Sequence, residues 1–87
     1  MPTDQHEHLA DCIAALLHKM RCEQKLSQRT VALRSNLDPK TVNLIERSKR
    51  RPTITTLSAL CSALGSSVSK VVAEAETTFT LDKHPEK

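Results

Sequence analysis

The amino-acid sequence predicts a small all-α domain, and three observations lead to that prediction. Apolar residues recur at helical spacing, beginning at Leu9, over most of the chain. Residues that favour helix starts, such as Ser27 and Asp38, precede these apolar stretches. Glycine occurs once, at Gly65, and proline four times, so breaks between helices are few and each marks a boundary. A chain of 87 residues is long enough for one core and too short for two.

The first two helices follow from apolar spacing and one capping residue. Apolar side chains at positions 9, 13, 16, 17 and 20 form a stripe of period 3.6, which predicts a helix over residues 9–23. Residues 1–8 are expected to form an N-terminal arm. Ser27 is a favourable N-cap, and the helix that begins at Gln28 is expected to end near Arg34.

The segment ALRSNLDPKTV, residues 32–42, interrupts the helical pattern. Asn36 tolerates the left-handed conformation that closes many helices. Asp38 caps the next helix, and Pro39 fits the first turn of that helix because an N–H there has no helical partner. Val42 and Ile45 point this third helix inward. Two helices are therefore predicted to meet across a turn of about three residues.

Two further helices and a tail complete the predicted domain. Thr53 begins a helix whose apolar stripe ends at Gly65, and Ser67 caps a fifth helix. The domain is expected to span residues 9–75, followed by a tail over residues 76–87. Within the tail, TTFTL alternates polar and apolar β-forming residues, which fits either a short dimerising strand or a disordered segment.

Positive charge is concentrated in the middle of the chain. Residues 19–51 contain ten of the thirteen Lys and Arg but three of the ten acidic residues, a net charge of +7. A basic centre between acidic ends is typical of a surface that meets phosphates, although a merely solvated charged face is the alternative. The chain has no Trp or Tyr and one Phe, which disfavours modules that stack single-stranded bases on aromatic rings.

Cysteine and histidine form no recognisable metal or catalytic pattern. Three cysteines without a CxxC pair disfavour a disulfide framework. His8 with Cys12 and His18 with Cys22 share i, i+4 spacing, but the two pairs lie about 15 Å apart along a helix and cannot share one ion. No nucleophile, base and orienting acid occur in a known arrangement. We expect no enzyme activity, no metal and no cofactor.

The sequence also lacks the features of a membrane or exported protein. Its apolar runs fall short of the roughly 20 residues that cross a bilayer, and the N-terminal MPTDQHEH is polar. We therefore expect a cytoplasmic protein with no membrane partner.

Residues 26–67, LSQRTVALRSNLDPKTVNLIERSKRRPTITTLSALCSALGSS, resemble the lambda-repressor-like (Xre/Cro type) helix-turn-helix family. The resemblance rests on the opening LSQ, Ala32 in the second helix, the turn position at Asn36, the IER motif over residues 45–47 and the basic run before Pro52. It implies a five-helix DNA-binding domain in which the helix over residues 38–47 lies in the major groove of double-stranded DNA. The helix from Gln28 would cross the DNA backbone.

The sequence departs from the pattern of this family at several positions. Asn36 and Ser48 stand where the family usually has Gly, and Ser35 stands where it usually has Leu. Either Leu33 or Leu37 is therefore expected to fill the core beside Ser35.

The outward face of the third helix carries the candidate base contacts. Lys40 suits guanine and Asn43 suits adenine, while Pro39 and Leu44 suit the thymine methyl group. Because two of these four side chains cannot hydrogen-bond, we expect few hydrogen bonds to base edges. Part of the sequence specificity should then come from DNA shape. Helix N-termini and flexible cations bind phosphates without reading sequence. The expected phosphate contacts are Gln28, Thr41, Arg47, Lys49, Arg50 and Arg51.

Two further expectations concern structure and assembly. The resemblance implies that Arg21 pairs with Glu46 and ties the first helix to the end of the recognition helix. One helix in one groove reads few bases, so a homodimer on a palindromic operator is expected. The spare apolar residues available for the dimer interface are Val68, Val71, Val72, Phe79 and Leu81.

The resulting functional hypothesis is a transcriptional regulator, a repressor, that is bacterial or phage-encoded and associated with the nucleoid. The alternative is an antitoxin of the same fold that binds a toxin protein and represses its own operon, with the acidic tail as the inhibitory segment.

Overall fold

The computed structural model describes the backbone of residues 3–83 and the side chains of residues 6–78. The five helices are α1 (Thr3–Glu23), α2 (Gln28–Ser35), α3 (Pro39–Glu46), α4 (Ile54–Ala63) and α5 (Val68–Lys83). The prediction of a five-helix, all-α domain is confirmed, since the described backbone contains helices and turns but no strand.

Both terminal helices are longer than the sequence pattern indicates. Helix α1 begins at Thr3, so most of the expected N-terminal arm is helix. Helix α5 continues to Lys83, so the prediction of a strand or a disordered segment at TTFTL is wrong. The β-forming residues follow a helix with no Gly or Pro between them, and burial of Val71 and Ala75 at i, i+4 holds that helix against the core. The side chains of Phe79 and Leu81 lie outside the described residues.

All five helices contribute to one hydrophobic core. Its fully buried members include Val31 from α2, Ile45 from α3, Cys61 from α4 and Val71 from α5, each 1% exposed. The buried residue that α1 contributes to this cluster is Leu17, which is 2% exposed. The expectation that Val71 contributes to a dimer interface is therefore wrong, because this side chain has no surface left to offer a second copy.

One of the two leucines near Ser35 belongs to the core. Leu37 is partly buried and packs against the core, whereas Leu33 is 75% exposed. Ser35 itself is 7% exposed, and its hydroxyl donates to the carbonyl oxygen of Val31 at 2.6 Å. This hydrogen bond satisfies the polar group that takes the place of an apolar side chain.

The same backbone conformation follows the end of each of the first four helices. Lys25, Asn36, Ser48 and Gly65 follow the four successive helices with φ angles of 59°, 58°, 59° and 78°. In each junction the next backbone N–H donates to a carbonyl one turn back, at 2.8–3.1 Å. The left-handed role expected of Asn36 is confirmed. Lys25 and Ser48 adopt the same conformation at a cost of about 1 kcal/mol each, because their Cβ atoms crowd the backbone.

No single helix within residues 3–83 is both long and apolar enough to cross a bilayer. Taken together, the segments Ile54–Ala63 and Val68–Thr78 have the length and apolar composition of a membrane span, but the chain bends by 95° between them.

Candidate nucleic-acid interface

Helices α2 and α3 flank the turn that the sequence predicts, and local chemistry fixes the start of α3. The Oδ1 atom of Asp38 accepts a hydrogen bond from the backbone N–H of Lys40 at 2.9 Å. Pro39 occupies the first turn, where the missing N–H removes no helical hydrogen bond. Val42 and Ile45, each 1% exposed, attach one side of α3 to the core. The opposite side of α3 therefore faces outward.

This outward side carries three of the four candidate base contacts, together with Arg47, a candidate phosphate contact. At 3.6 residues per turn, Lys40, Asn43, Leu44 and Arg47 lie opposite the two buried residues. Lys40 and Arg47 are exposed, while Asn43 and Leu44 are partly buried at the edges of the face. Pro39 is exposed at the N-terminal end of the helix. The face thus combines donors, an acceptor and apolar groups that suit base edges.

A basic segment follows directly after α3. Lys49, Arg50 and Arg51 are exposed in the connection to α4. The guanidinium of Arg50 donates to Oγ1 of Thr41 at 3.5 Å, which brings two of the expected phosphate contacts together. The connection therefore places Arg50 beside α3, within a segment of three exposed cations of the kind that suits a DNA backbone.

Arg51 has a second role that the sequence pattern does not indicate. Its Nη1 donates to Oδ1 of Asp11 on α1 at 2.9 Å, and the two side chains are 45% and 52% exposed. The hydrogen bond from Arg51 is the main reason that the pKa of Asp11 lies below its ordinary value. Arg51 would therefore have to share or leave Asp11 in order to contact a phosphate.

The expected ion pair between Arg21 and Glu46 is confirmed. Arg21 Nε lies 2.7 Å from Glu46 Oε2, and Nη2 lies 3.1 Å from Oε1. The two side chains are 13% and 4% exposed. Arg21 Nη1 also donates to the carbonyl oxygen of Leu26 at 2.8 Å. These bonds tie α1 to both the connection before α2 and the end of α3.

The comparisons with known proteins agree with this geometry. A helix-turn-helix family model, HTH_3, matches residues 17–71, which is more than half of the chain. The chain belongs to the helix-turn-helix family. A comparison with curated proteins finds no match.

Three solved structures show what this helix-turn-helix chain is similar to. The clp gene regulator ClgR from Corynebacterium glutamicum is 28% identical with a TM-score of 0.77, covering 85% of this chain and 79% of ClgR. The restriction-modification controller protein C.Esp1396I is 27% identical with a TM-score of 0.76, covering 85% and 95%. A variant of that controller bound to its highest-affinity operator site is 26% identical with a TM-score of 0.76, covering 83% and 95%. These likenesses identify a DNA-binding regulator.

Glu46 in this helix-turn-helix domain has two further partners that the sequence pattern does not reveal. His18 Nδ1 lies 2.9 Å from Glu46 Oε1, and Gln28 Nε2 donates to the same oxygen at 3.1 Å. Burial raises the pKa of Glu46, but the hydrogen bonds from Arg21, His18 and Gln28 outweigh it, so the pKa lies below its ordinary value. The sequence signal for the contact between His18 and Glu46 is that His18 lies three residues before Arg21, on the same face of α1.

In the pair of His18 and Cys22 on α1, both ring nitrogens of the histidine already have neighbours. His18 Nε2 lies 3.6 Å from Sγ of Cys22, while Nδ1 faces Glu46. Within the part of the chain that the structure describes, no three His, Cys, Asp or Glu residues are grouped so that they could hold a metal ion.

Proposed function

We propose that the protein is a transcriptional repressor that binds double-stranded DNA as a homodimer at a palindromic operator. The observation that carries the proposal is the outward face of α3, where Lys40 and Asn43 stand opposite Val42 and Ile45 in the core. An α-helix fits the major groove, where each base pair presents a distinct set of donors and acceptors. Helix α3 is the recognition helix in this proposal, and α2 crosses the backbone.

Base recognition is divided among few side chains. Lys40 donates to guanine, Asn43 reads adenine, and Pro39 and Leu44 touch thymine methyl groups. Because only two of these side chains hydrogen-bond, the sequence-dependent shape of the operator supplies part of the specificity. Each bidentate contact is worth about 1–3 kcal/mol of discrimination.

Affinity comes mainly from phosphate contacts that do not read sequence. The exposed cations after α3 and the start of α2 provide these contacts, with Thr41 as a neutral donor. Each phosphate neutralised by a cation releases counterions, so the binding constant falls as salt rises. The proposed phosphate contacts are Thr41, Arg47, Lys49, Arg50 and Arg51. Gln28, which the sequence also predicts as a phosphate contact, has its side-chain amide bonded to Glu46 and Asn43.

The proposal includes a homodimer because one recognition helix reads few base pairs. Two copies related by a two-fold axis would place their helices on half-sites about one helical turn apart. The candidate interface is on α5, where Val68 and Val72 pack against the core but remain partly exposed. Phe79 and Leu81, the other two candidates, have side chains outside the described residues. A bound dimer represses transcription simply by occupying a promoter, so repression needs no further surface. Such a protein acts on the nucleoid of a bacterial cell.

The first experiment selects duplexes from sheared genomic DNA with the purified protein at physiological salt, followed by sequencing. The expected result is one palindromic site, with half-sites about one helical turn apart. Weak, salt-sensitive binding to all sequences alike would overturn the proposal. Footprinting and sedimentation on the recovered site then report one dimer, or contradict it with a monomer.

Two single variants separate base contacts from phosphate contacts at that site. Lys40→Ala is expected to relax the base preference at one symmetric pair of positions, because it removes a group that addresses guanine. Lys49→Ala is expected to weaken binding to every duplex by a similar factor and to lower the salt slope by about one unit. The reverse assignment of these two effects would show that α3 does not lie in the major groove as proposed.

No observation in the described residues favours the antitoxin alternative.

A further inference from the structure

A chain of hydrogen bonds runs from Glu46 through Gln28 to Asn43. Gln28 Nε2 donates to Glu46 Oε1 at 3.1 Å, and Asn43 Nδ2 donates to Gln28 Oε1 at 3.3 Å. All three side chains belong to residues that are partly buried. The chain therefore connects the ion pair between α1 and the end of α3 with a proposed base contact in the middle of α3, by way of the first residue of α2.

The direction of these bonds is set at the Glu46 end. An ionised carboxylate only accepts hydrogen bonds, and the side chain of Glu46 is 4% exposed beside Arg21. Gln28 must therefore turn its NH₂ group toward Glu46. Its carbonyl oxygen then faces Asn43 and requires a donor, so Asn43 must turn its own NH₂ group toward Gln28. Each amide is left with one orientation of the two that it would adopt alone.

Asn43 keeps the groups that adenine requires. Its bond to Gln28 uses one N–H, which leaves the second N–H and the amide oxygen outside this chain of bonds. In the major groove adenine offers N7 as an acceptor and its N6 amino group as a donor. The remaining N–H of Asn43 suits N7, and its amide oxygen suits the N6 amino group. An amide that is already oriented loses less side-chain entropy when it binds.

We propose that Gln28 is a positioning residue that sets the base preference of Asn43 without touching a base. This inference rests on the proposed DNA-binding function. It differs from the expectation that Gln28 contacts a phosphate, because a phosphate contact changes affinity on every sequence and a positioning residue changes the preference among the four bases. The two roles therefore predict different results for the same substitution.

The experiment selects duplexes from a randomised library with full-length wild-type protein, Asn43→Ala and Gln28→Leu at one salt concentration. Asn43→Ala identifies the operator position whose preference is lost. Gln28→Leu is expected to reduce the preference at that same position by about fivefold or more, out of the roughly 5- to 150-fold that 1–3 kcal/mol represents. Other positions keep their preferences.

A neighbouring variant provides the matched control. Arg29 is exposed on the next position of α2, and Arg29→Gln removes a cation without touching the chain of bonds. It is expected to leave the preference opposite Asn43 unchanged, and any loss of affinity from the lost charge should be the same on all duplexes. Circular dichroism confirms that each variant is folded, and Gln28→Met, which keeps the side-chain length, replaces Gln28→Leu if the latter unfolds.

The outcomes distinguish this inference from the function on which it rests. If wild-type protein selects a clear operator and Gln28→Leu only lowers affinity and the salt slope, Gln28 is a phosphate contact and the inference is wrong. If Asn43→Ala alters no base preference, the inference is also wrong, although the operator stands. Wild-type protein without any base preference overturns the proposed function itself, and the inference with it.

Discussion

Replacing Arg21 with leucine is expected to destabilise the protein because it leaves the carboxylate of Glu46 buried without its main partner. The Arg21 guanidinium makes two bonds to this carboxylate, at 2.7 and 3.1 Å, and a third to the carbonyl oxygen of Leu26. With the Glu46 side chain 4% exposed, water cannot readily replace these donors. The substitution also removes the ion pair that links α1 to the end of α3.

The expected loss is about 3 kcal/mol in the free energy of unfolding. Removing one partner of a buried pair costs about 3–5 kcal/mol, and the lower end applies because His18 and Gln28 still donate to Glu46. For 87 residues the total stability is about 4–13 kcal/mol, so the variant would be marginal. Arg21→Leu combined with Glu46→Leu is expected to lose only about 1 kcal/mol, because no charge is then left buried and unpaired.

The effect depends on pH in a direction that follows from the pKa of Glu46. In the wild type this pKa lies below its unfolded value, so the stabilisation is present above about pH 4.3 and is lost as the pH falls through the folded pKa. In Arg21→Leu, burial still raises the pKa while the main opposing donor is gone. Protonation then removes a buried charge, so the difference between the variant and the wild type should shrink from about pH 7 to about pH 4.

Urea unfolding followed by far-ultraviolet circular dichroism measures these differences, since the chain has no Trp or Tyr for fluorescence. The wild type, both single variants and the double variant form one cycle at constant protein concentration. A loss below about 0.5 kcal/mol in Arg21→Leu would refute the reasoning, since it is typical of surface substitutions. A double variant no more stable than Arg21→Leu would refute it as well.

Three further predictions use the same unfolding assay. Lys25→Gly should stabilise the protein by about 0.5–1 kcal/mol because φ at this position is 59°, whereas Lys25→Ala should bring no gain; equal effects would contradict the strain. Asp38→Ala should cost about 0.5–2 kcal/mol through loss of the N-cap of α3, and Asp38→Asn should restore most of it. Ile45→Ala should cost about 2–5 kcal/mol, but Leu33→Ala, at a side chain 75% exposed, less than about 0.5 kcal/mol; similar losses would contradict the burial pattern.

The part of the interface that could be predicted from the sequence depends on neighbours along the chain. Asp38 caps α3 through the backbone N–H two residues later, and Pro39 follows it in the first turn. Val42 and Ile45 show their burial through spacing alone, and so identify the opposite face. Only the resemblance to a family predicts the pair of Arg21 and Glu46, because nothing in the spacing of the two residues indicates the contact.

The end of α5 shows where local preference fails. The residues of TTFTL favour strands, but a strand needs a partner, and the described residues offer the helix instead a core contact through Val71 and Ala75. The same packing buries Val71, which the sequence pattern places at a dimer interface. Propensity is a weak preference that tertiary contacts override.

The sequence by itself determined the presence of five helices, the left-handed turn at Asn36 and the cap at Asp38, because each depends on residues within one or two turns of one another. The basic centre follows from the distribution of charged residues along the chain alone. Only the tertiary structure decided which polar side chains meet. Asn43 reaches Gln28 across 15 positions of the chain, and Arg51 reaches Asp11 across 40. Such contacts depend on how whole helices pack, and the packing is set by the summed burial of the core rather than by the residues that it brings together.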